Sequence, residues 1–372
     1  MIGGPPLQPR LWRHFDFVLL LAVVLLLGYG LLLIYSATLE PTQRGISDLV
    51  IKQAIYGACG LVLILLLVWL DYRVLANLAP VLYGLAVALL LLVFAIGRIT
   101  HGSQRWIPLP FFDLQPSELA KLLLIIVLAK FVADREDEMD NLRVVLISLG
   151  LTLVLAALVL LQPDLGTAAM LIAIWAGISF AGGLRPLHAG LLAGAAVIMA
   201  PIGWFLMHDY QRWRVMVFLN PNLDPTGEGY NVIQALISVG SGGWFGRGFT
   251  SGTQSQLHFL RVKYSDFIFS VLAEELGFVG CLALLCLVLI VLLRALRVSV
   301  LAQDSFGRLV AVGVASLLFA QTFVNLAMNI GLLPVTGVTL PFISYGGSSL
   351  LTMLAGVGLL QSVVTRHRAL EF

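Results

Sequence analysis

Runs of about 20 apolar residues, separated by short polar breaks, recur along the whole chain, and at the rise of an α-helix each run is long enough to cross a bilayer. The pattern predicts helices over 15–35, 50–70, 75–96, 117–133, 144–161, 165–181, 189–207, 267–293, 309–332 and 347–364. The expected fold is an all-α integral membrane protein of about ten transmembrane helices, one polytopic domain over 1–372. A large outer loop, 208–266, lies between the seventh and eighth spans. Pro163 ends or kinks a helix, so Gln162-Pro163-Asp164 is either a corner or a re-entrant break. Arg10 and Arg13 ahead of the first run resemble the start of a signal peptide. That run is long for such a segment and no small-residue cleavage site follows, so it reads as a retained helix.

Charge orients the bundle. With the N-terminus inside, Arg10, Arg13, Arg73, Lys130, Arg135, Arg143, Arg185, Arg294, Arg297, Arg308, Arg366 and Arg368 fall on the cytoplasmic side. The short outer loops are poor in positive charge, as the positive-inside rule requires, and both termini are expected in the cytoplasm. Hydrophobic residues make up 59% of the chain and charged ones 11%, which leaves no soluble domain. The net charge of +2 says nothing about nucleic acid, and no basic run or aromatic-interleaved patch suggests it as a partner. Cys59, Cys281 and Cys286 lie within apolar spans without ligand spacing and read as small core hydrophobes. The inner run 135–140 reads as solvated charge.

Two outer loops, 98–115 and 208–266, are rich in Trp, Gly, Pro and charge, and long loops of this kind are usually functional. Asp266 stands where the larger one meets the eighth span. An Asp there is commonly an N-cap, but a carboxylate at a membrane surface also suits a general base acting on a lipid-anchored substrate. Arg212, Arg214, Arg247, Arg261 and Lys263 surround it in sequence and suit an anionic, phosphorylated head group. Glu118 and Lys121, three apart, share one helix face and are either a mutually neutralising pair or a substrate contact. Asp164 can cap the helix after Pro163 or serve the site. The turn 340–349 needs no function, although Ser344 and Tyr345 could line the same site.

At these residues the chain resembles the SEDS family (shape, elongation, division and sporulation proteins). The resemblance rests on Gln104-Arg105-Trp106, Gln115-Pro116-Ser117-Glu118-Leu119-Ala120-Lys121, Gln162-Pro163-Asp164-Leu165-Gly166-Thr167, Asp266-Phe267-Ile268-Phe269 with Glu274-Glu275, and Ser344-Tyr345-Gly346-Gly347-Ser348-Ser349. Gly252-Thr253-Gln254-Ser255-Gln256-Leu257 and Leu333-Pro334-Val335-Thr336-Gly337 are more similar to its elongation branch, RodA, than to its division branch, FtsW. Two departures stand out. Tyr264-Ser265 precede Asp266 where His-Thr is common, and Val338-Thr339 replaces Ile-Pro.

The resemblance implies a glycan-strand polymerase of the bacterial cytoplasmic membrane, working on its outer face. It would use lipid II, invert the donor to form β-1,4 links and release undecaprenyl diphosphate, for cell elongation and shape. Asp266 falls at the family's essential carboxylate, and Arg105, Glu118, Lys121, Asp164, Arg212, Arg214, Arg247, Lys263 and Ser344 are the implied substrate contacts. The sequence fixes no metal site and leaves a divalent cation open as a cofactor. The implied partners are a class B penicillin-binding protein, held through transmembrane and outer-face contacts, and other membrane proteins of the elongation complex. Small residues at Gly356 and Gly358 offer the last span as the docking face. A lipid II flippase, a division-type polymerase, a polysaccharide ligase and a pure scaffold are the alternatives.

Overall fold

The computed structural model describes residues 14–39, 46–100, 103–108, 113–207, 209–225, 227–256, 259–260 and 263–366. Arg10, Arg13, Arg44, Arg261 and Arg368 lie outside the described residues. In chain order the helices and strands are α1 (Phe17–Thr38), α2 (Asp48–Trp69), α3 (Tyr72–Asn77), α4 (Ala79–Ile96), β1 (Arg98–Thr100), β2 (Ser103–Pro108), β3 (Asp113–Leu114), α5 (Pro116–Ala133), α6 (Leu142–Leu161), α7 (Leu165–Ala181) and α8 (Pro186–Leu206). They continue with α9 (Asp209–Leu219), α10 (Glu228–Ser241), α11 (Thr253–Gln256), α12 (Ile268–Leu301), α13 (Ser305–Asn329) and α14 (Gly347–Thr365).

Eight of these helices, α1, α2, α4, α6, α8, α12, α13 and α14, are long and apolar enough to cross a membrane. The other two predicted runs form helices that fall short of that measure: α5, whose apolar course is interrupted by Glu118, Lys121 and Lys130, and α7, of 17 residues. Large apolar side chains such as Phe180, Phe205 and Val300 face outward from the bundle, as a hydrocarbon solvent allows. Cys59 and Cys286 share that outward surface, which corrects their reading as core residues; Cys281 is partly buried. Their small apolar character suits lipid as well as a core.

The all-helical expectation needs one addition. Strands β1, β2 and β3 form a small antiparallel sheet in that order, with Ile107 opposite Leu114. It places Arg105 on β2 and runs β3 almost directly into α5. The run 135–140 is also more than solvated charge: Glu136 pairs with Arg308 and Asp140 with Arg185, tying it to the starts of α13 and α8, while Met139 is buried.

The last span cannot be the docking face. Helix α14 is buried along nearly its whole length, packed against α2, α13 and α5. A Cβ on Gly358 would lie 2.8 Å from Leu67, and one on Gly356 would lie 3.3 Å from Val314. The small residues allow close packing within this chain rather than against another.

Helix α12 is broken near its N-terminal end at Gly277, whose φ of 64° and ψ of −160° are accessible only to glycine. The break leaves backbone groups that no lipid could satisfy, and the glycine-rich turn 243–248 satisfies them. Arg247 and Gly248 N–H groups donate to the Glu274 and Glu275 carbonyls at 2.9 and 3.0 Å. Phe278 and Val279 N–H groups donate to the Gly243 and Trp244 carbonyls at 2.9 and 3.1 Å. A Cβ on Gly277 would lie 2.3 Å from the Gly246 nitrogen. Gly277→Ala is therefore expected to destabilise the protein by at least ~1–3 kcal/mol from backbone strain, read as a fall in thermal unfolding temperature; an unchanged temperature would show that the turn can move away freely.

Candidate active site

Asp266, Glu118, Lys121, Arg105 and Asp164 line one cavity of about 400 Å³, together with Tyr56 and Tyr345. They come from five stretches of the sequence, at 56, 105–121, 164, 266 and 345, so only the fold could bring them together. Asp266 sits half-buried in the turn 263–267 that precedes α12. Phe267 occupies the helix cap position, which leaves Asp266 one residue upstream of it. Its Oδ1 accepts the Ser265 hydroxyl at 2.9 Å.

The loop before α14 holds that turn in place. Ser344 donates its hydroxyl to the Ser265 carbonyl at 2.6 Å, and the Tyr345 N–H donates to the Tyr264 carbonyl at 2.9 Å. Ser344 itself is buried and positions backbone rather than lining the cavity. Burial pushes the Tyr345 phenol up to about 12, with Tyr56, Tyr264 and Asp113 adding to the shift, so it enters the cavity as a neutral hydroxyl at physiological pH.

Elsewhere in the cavity lining, Lys121 Nζ lies 2.7 Å from Glu118 Oε1 and both side chains are almost fully buried. Lys121 also donates to Gln321 Oε1 at 3.3 Å, and Gln321 Nε2 reaches the Thr339 carbonyl at 3.1 Å and Ser349 Oγ at 3.3 Å. Glu118 Oε2 is buried without a hydrogen-bond partner. The pair is thus neither isolated nor fully satisfied, and its open oxygen belongs to a residue that lines the cavity.

Asp164 does cap α7, accepting the Thr167 N–H at 3.1 Å and its hydroxyl at 2.9 Å, and it lines the cavity as well. Arg105 donates to the Gln162 carbonyl at 2.9 Å and to the Pro163 carbonyl. The guanidinium therefore supplies donors to carbonyls that lack helical partners where α6 ends.

The remaining basic residues are deployed elsewhere. Arg212 caps the end of α8 through the Trp204 and Phe205 carbonyls at 2.9 and 2.6 Å. Arg214 donates to the Val335 carbonyl at 3.0 Å, and Arg247 to Thr253 Oγ1 at 3.1 Å. Thr253 in turn donates to the buried Glu274 at 3.2 Å. Lys263 is buried. None of these four lines the cavity. Among the described residues no three or more His, Cys, Asp or Glu side chains gather closely enough to hold a metal ion.

Sequence reasoning missed Gln321, Asn325 and Asn329. They recur every four residues along an otherwise largely apolar helix, so they occupy one face of α13, and that spacing was the available signal. Asn325 donates to the Val338 carbonyl at 2.7 Å, and Asn329 to the Asp266 carbonyl at 3.0 Å.

Comparison with known proteins places the whole chain in one group. A family profile described as cell cycle protein, FtsW/RodA/SpoVE, matches residues 17–369. The peptidoglycan glycosyltransferase MrdB of Escherichia coli K12 is 42% identical over 359 residues, 96% of this chain and 95% of that protein. A probable peptidoglycan glycosyltransferase FtsW of Geobacter metallireducens is 40% identical, covering 96% of each. Among solved structures, a chain of a peptidoglycan synthase complex that coordinates polymerization and crosslinking superposes with a TM-score of 0.79 at 37% identity, over 94% of this chain and 97% of that one. The rod shape determining protein RodA of Thermus thermophilus superposes with a TM-score of 0.71 at 32% identity, over 96% of this chain and 99% of that one.

Proposed function

The chain belongs to the SEDS family of FtsW, RodA and SpoVE cell cycle proteins, and from that premise we propose that it is a peptidoglycan glycosyltransferase that polymerises lipid II at the outer face of the bacterial cytoplasmic membrane. The observation that carries this reading is the shared cavity: a carboxylate, Asp266, and the buried Lys121 and Glu118 line one space of about 400 Å³. Asp266 takes the proton from the 4-hydroxyl of the acceptor sugar as that oxygen attacks the anomeric carbon of the donor. The bond to the diphosphate breaks, and an α-linked donor yields a β-1,4 link. General-base catalysis contributes about 10²–10⁴-fold, so positioning and neutralisation of the leaving diphosphate must supply the rest. Lys121 and Arg105 are the cavity-lining cations for that charge.

Purified protein incubated with labelled lipid II should yield glycan polymer. Translocation of lipid II across vesicles without polymer would support a flippase instead.

A polymerase without crosslinking makes no wall, and a structural neighbour belongs to a complex that coordinates the two activities. The partner is a class B penicillin-binding protein. Co-expression should give a stoichiometric membrane complex and raise polymerase activity by biasing the outer segment 209–266 toward its competent arrangement. Because α14 is enclosed by its own bundle, bulky substitution at Gly358 should disturb folding before it disturbs partner binding. A variant that remains well folded and loses only the partner would return α14 to the interface.

A further inference from the structure

We propose that Asn325 and Asn329 are positioning residues that fix the Asp266 peptide and thereby aim its carboxylate into the cavity. The proposal rests on reading Asp266 as the base. The Asp266 carbonyl accepts from Asn329 Nδ2 at 3.0 Å and from Asn325 Nδ2 at 3.3 Å. Both asparagines are fully buried. Burying amides in a membrane-spanning helix is unfavourable unless each is satisfied, and an apolar side chain would serve the helix itself better. What the amides hold is specific.

The first turn of α12 starts from Phe267, whose carbonyl accepts the Ser270 and Val271 N–H groups at 3.0 and 3.3 Å. The two amides occupy the carbonyl one residue earlier. They supply the partners that another helical turn would otherwise provide, so Asp266 remains in the turn instead of winding into α12.

The orientation of the clamp is fixed from behind. Ser270 Oγ donates to Asn329 Oδ1 at 2.7 Å, which directs Nδ2 toward Asp266. Asn329 Nδ2 also reaches the Asn325 carbonyl at 2.9 Å. Asn325 Nδ2 bonds the Val338 carbonyl at 2.7 Å as well as that of Asp266. Val338 and Asp266 both line the cavity, so one amide sets the spacing of two of its walls. A displacement near 1 Å at a reacting group can cost about 10²-fold in rate.

Asn329→Leu should lower kcat by about 10- to 10²-fold while KM for lipid II stays within about twofold, the pattern of an interaction used at the chemical step. The decisive measurement is the double variant with Asp266→Asn. If Asn329 acts through the base, it adds no further loss once the base is gone. Ser270→Ala, a smaller change that only releases Asn329, should give a several-fold loss with the same lack of additivity, and it serves if Asn329→Leu does not fold. Multiplicative losses, or a raised KM with unchanged kcat, would overturn the positioning role while leaving the base in place. Full activity of Asp266→Asn alone would instead overturn the base and, with it, the clamp's purpose.

Discussion

Asp266→Asn is expected to leave a folded, membrane-inserted protein whose polymerisation of lipid II falls by at least ~10²-fold. Asparagine keeps the size of the side chain and an oxygen for the Ser265 hydroxyl at 2.9 Å. The bonds from Asn325 and Asn329 go to the backbone carbonyl and survive the change. The helix does not depend on this carboxylate for its cap, because the cap position belongs to Phe267. What disappears is the capacity to accept a proton from the attacking hydroxyl. Folding is checked by thermal unfolding and size-exclusion behaviour, and activity by the length and amount of glycan product. Near-normal product would remove Asp266 from the chemistry. Failure to insert would mean that the carboxylate stabilises the start of α12 after all.

The helices were legible because hydrophobic length is a local property: each run long enough to cross a bilayer appears as a helix close to its predicted place. Asp266 was legible for a related reason, since the junction of a polar segment with an apolar run can be read along the chain. The division of labour among the basic residues could not be. Arg212 and Arg247 look alike in sequence as phosphate ligands, yet one caps α8 and the other braces Thr253, because their partners are backbone and side-chain groups that only the fold brings near. The same limit applies to Gly356 and Gly358. Small residues signal close helix packing, but sequence alone does not say whether the neighbour is another chain or, as here, α13 and α2. The break at Gly277 was hidden inside an apolar run, and its complement, the glycine-rich turn near 245, precedes it by some thirty positions.

The Glu118 and Lys121 pair gives the second large expected effect, and a double variant separates its structural from its functional part. Lys121→Met leaves Glu118 as an uncompensated buried carboxylate and takes a donor from Gln321. Glu118→Gln leaves a buried ammonium with amide oxygens only. Breaking a buried pair from one side typically costs about 3–5 kcal/mol, whereas replacing both members with neutral groups is often close to neutral. Each single variant should therefore unfold at a clearly lower temperature, and the double variant should recover most of that loss. Activity should not follow stability. Both side chains line the cavity with Asp266, and Lys121 is a cation proposed to oppose a leaving diphosphate, so the stable double variant is expected to remain inactive in lipid II polymerisation. Recovery of activity together with stability would reduce the pair to mutual neutralisation inside the bundle and shift leaving-group stabilisation to Arg105 or to a bound cation.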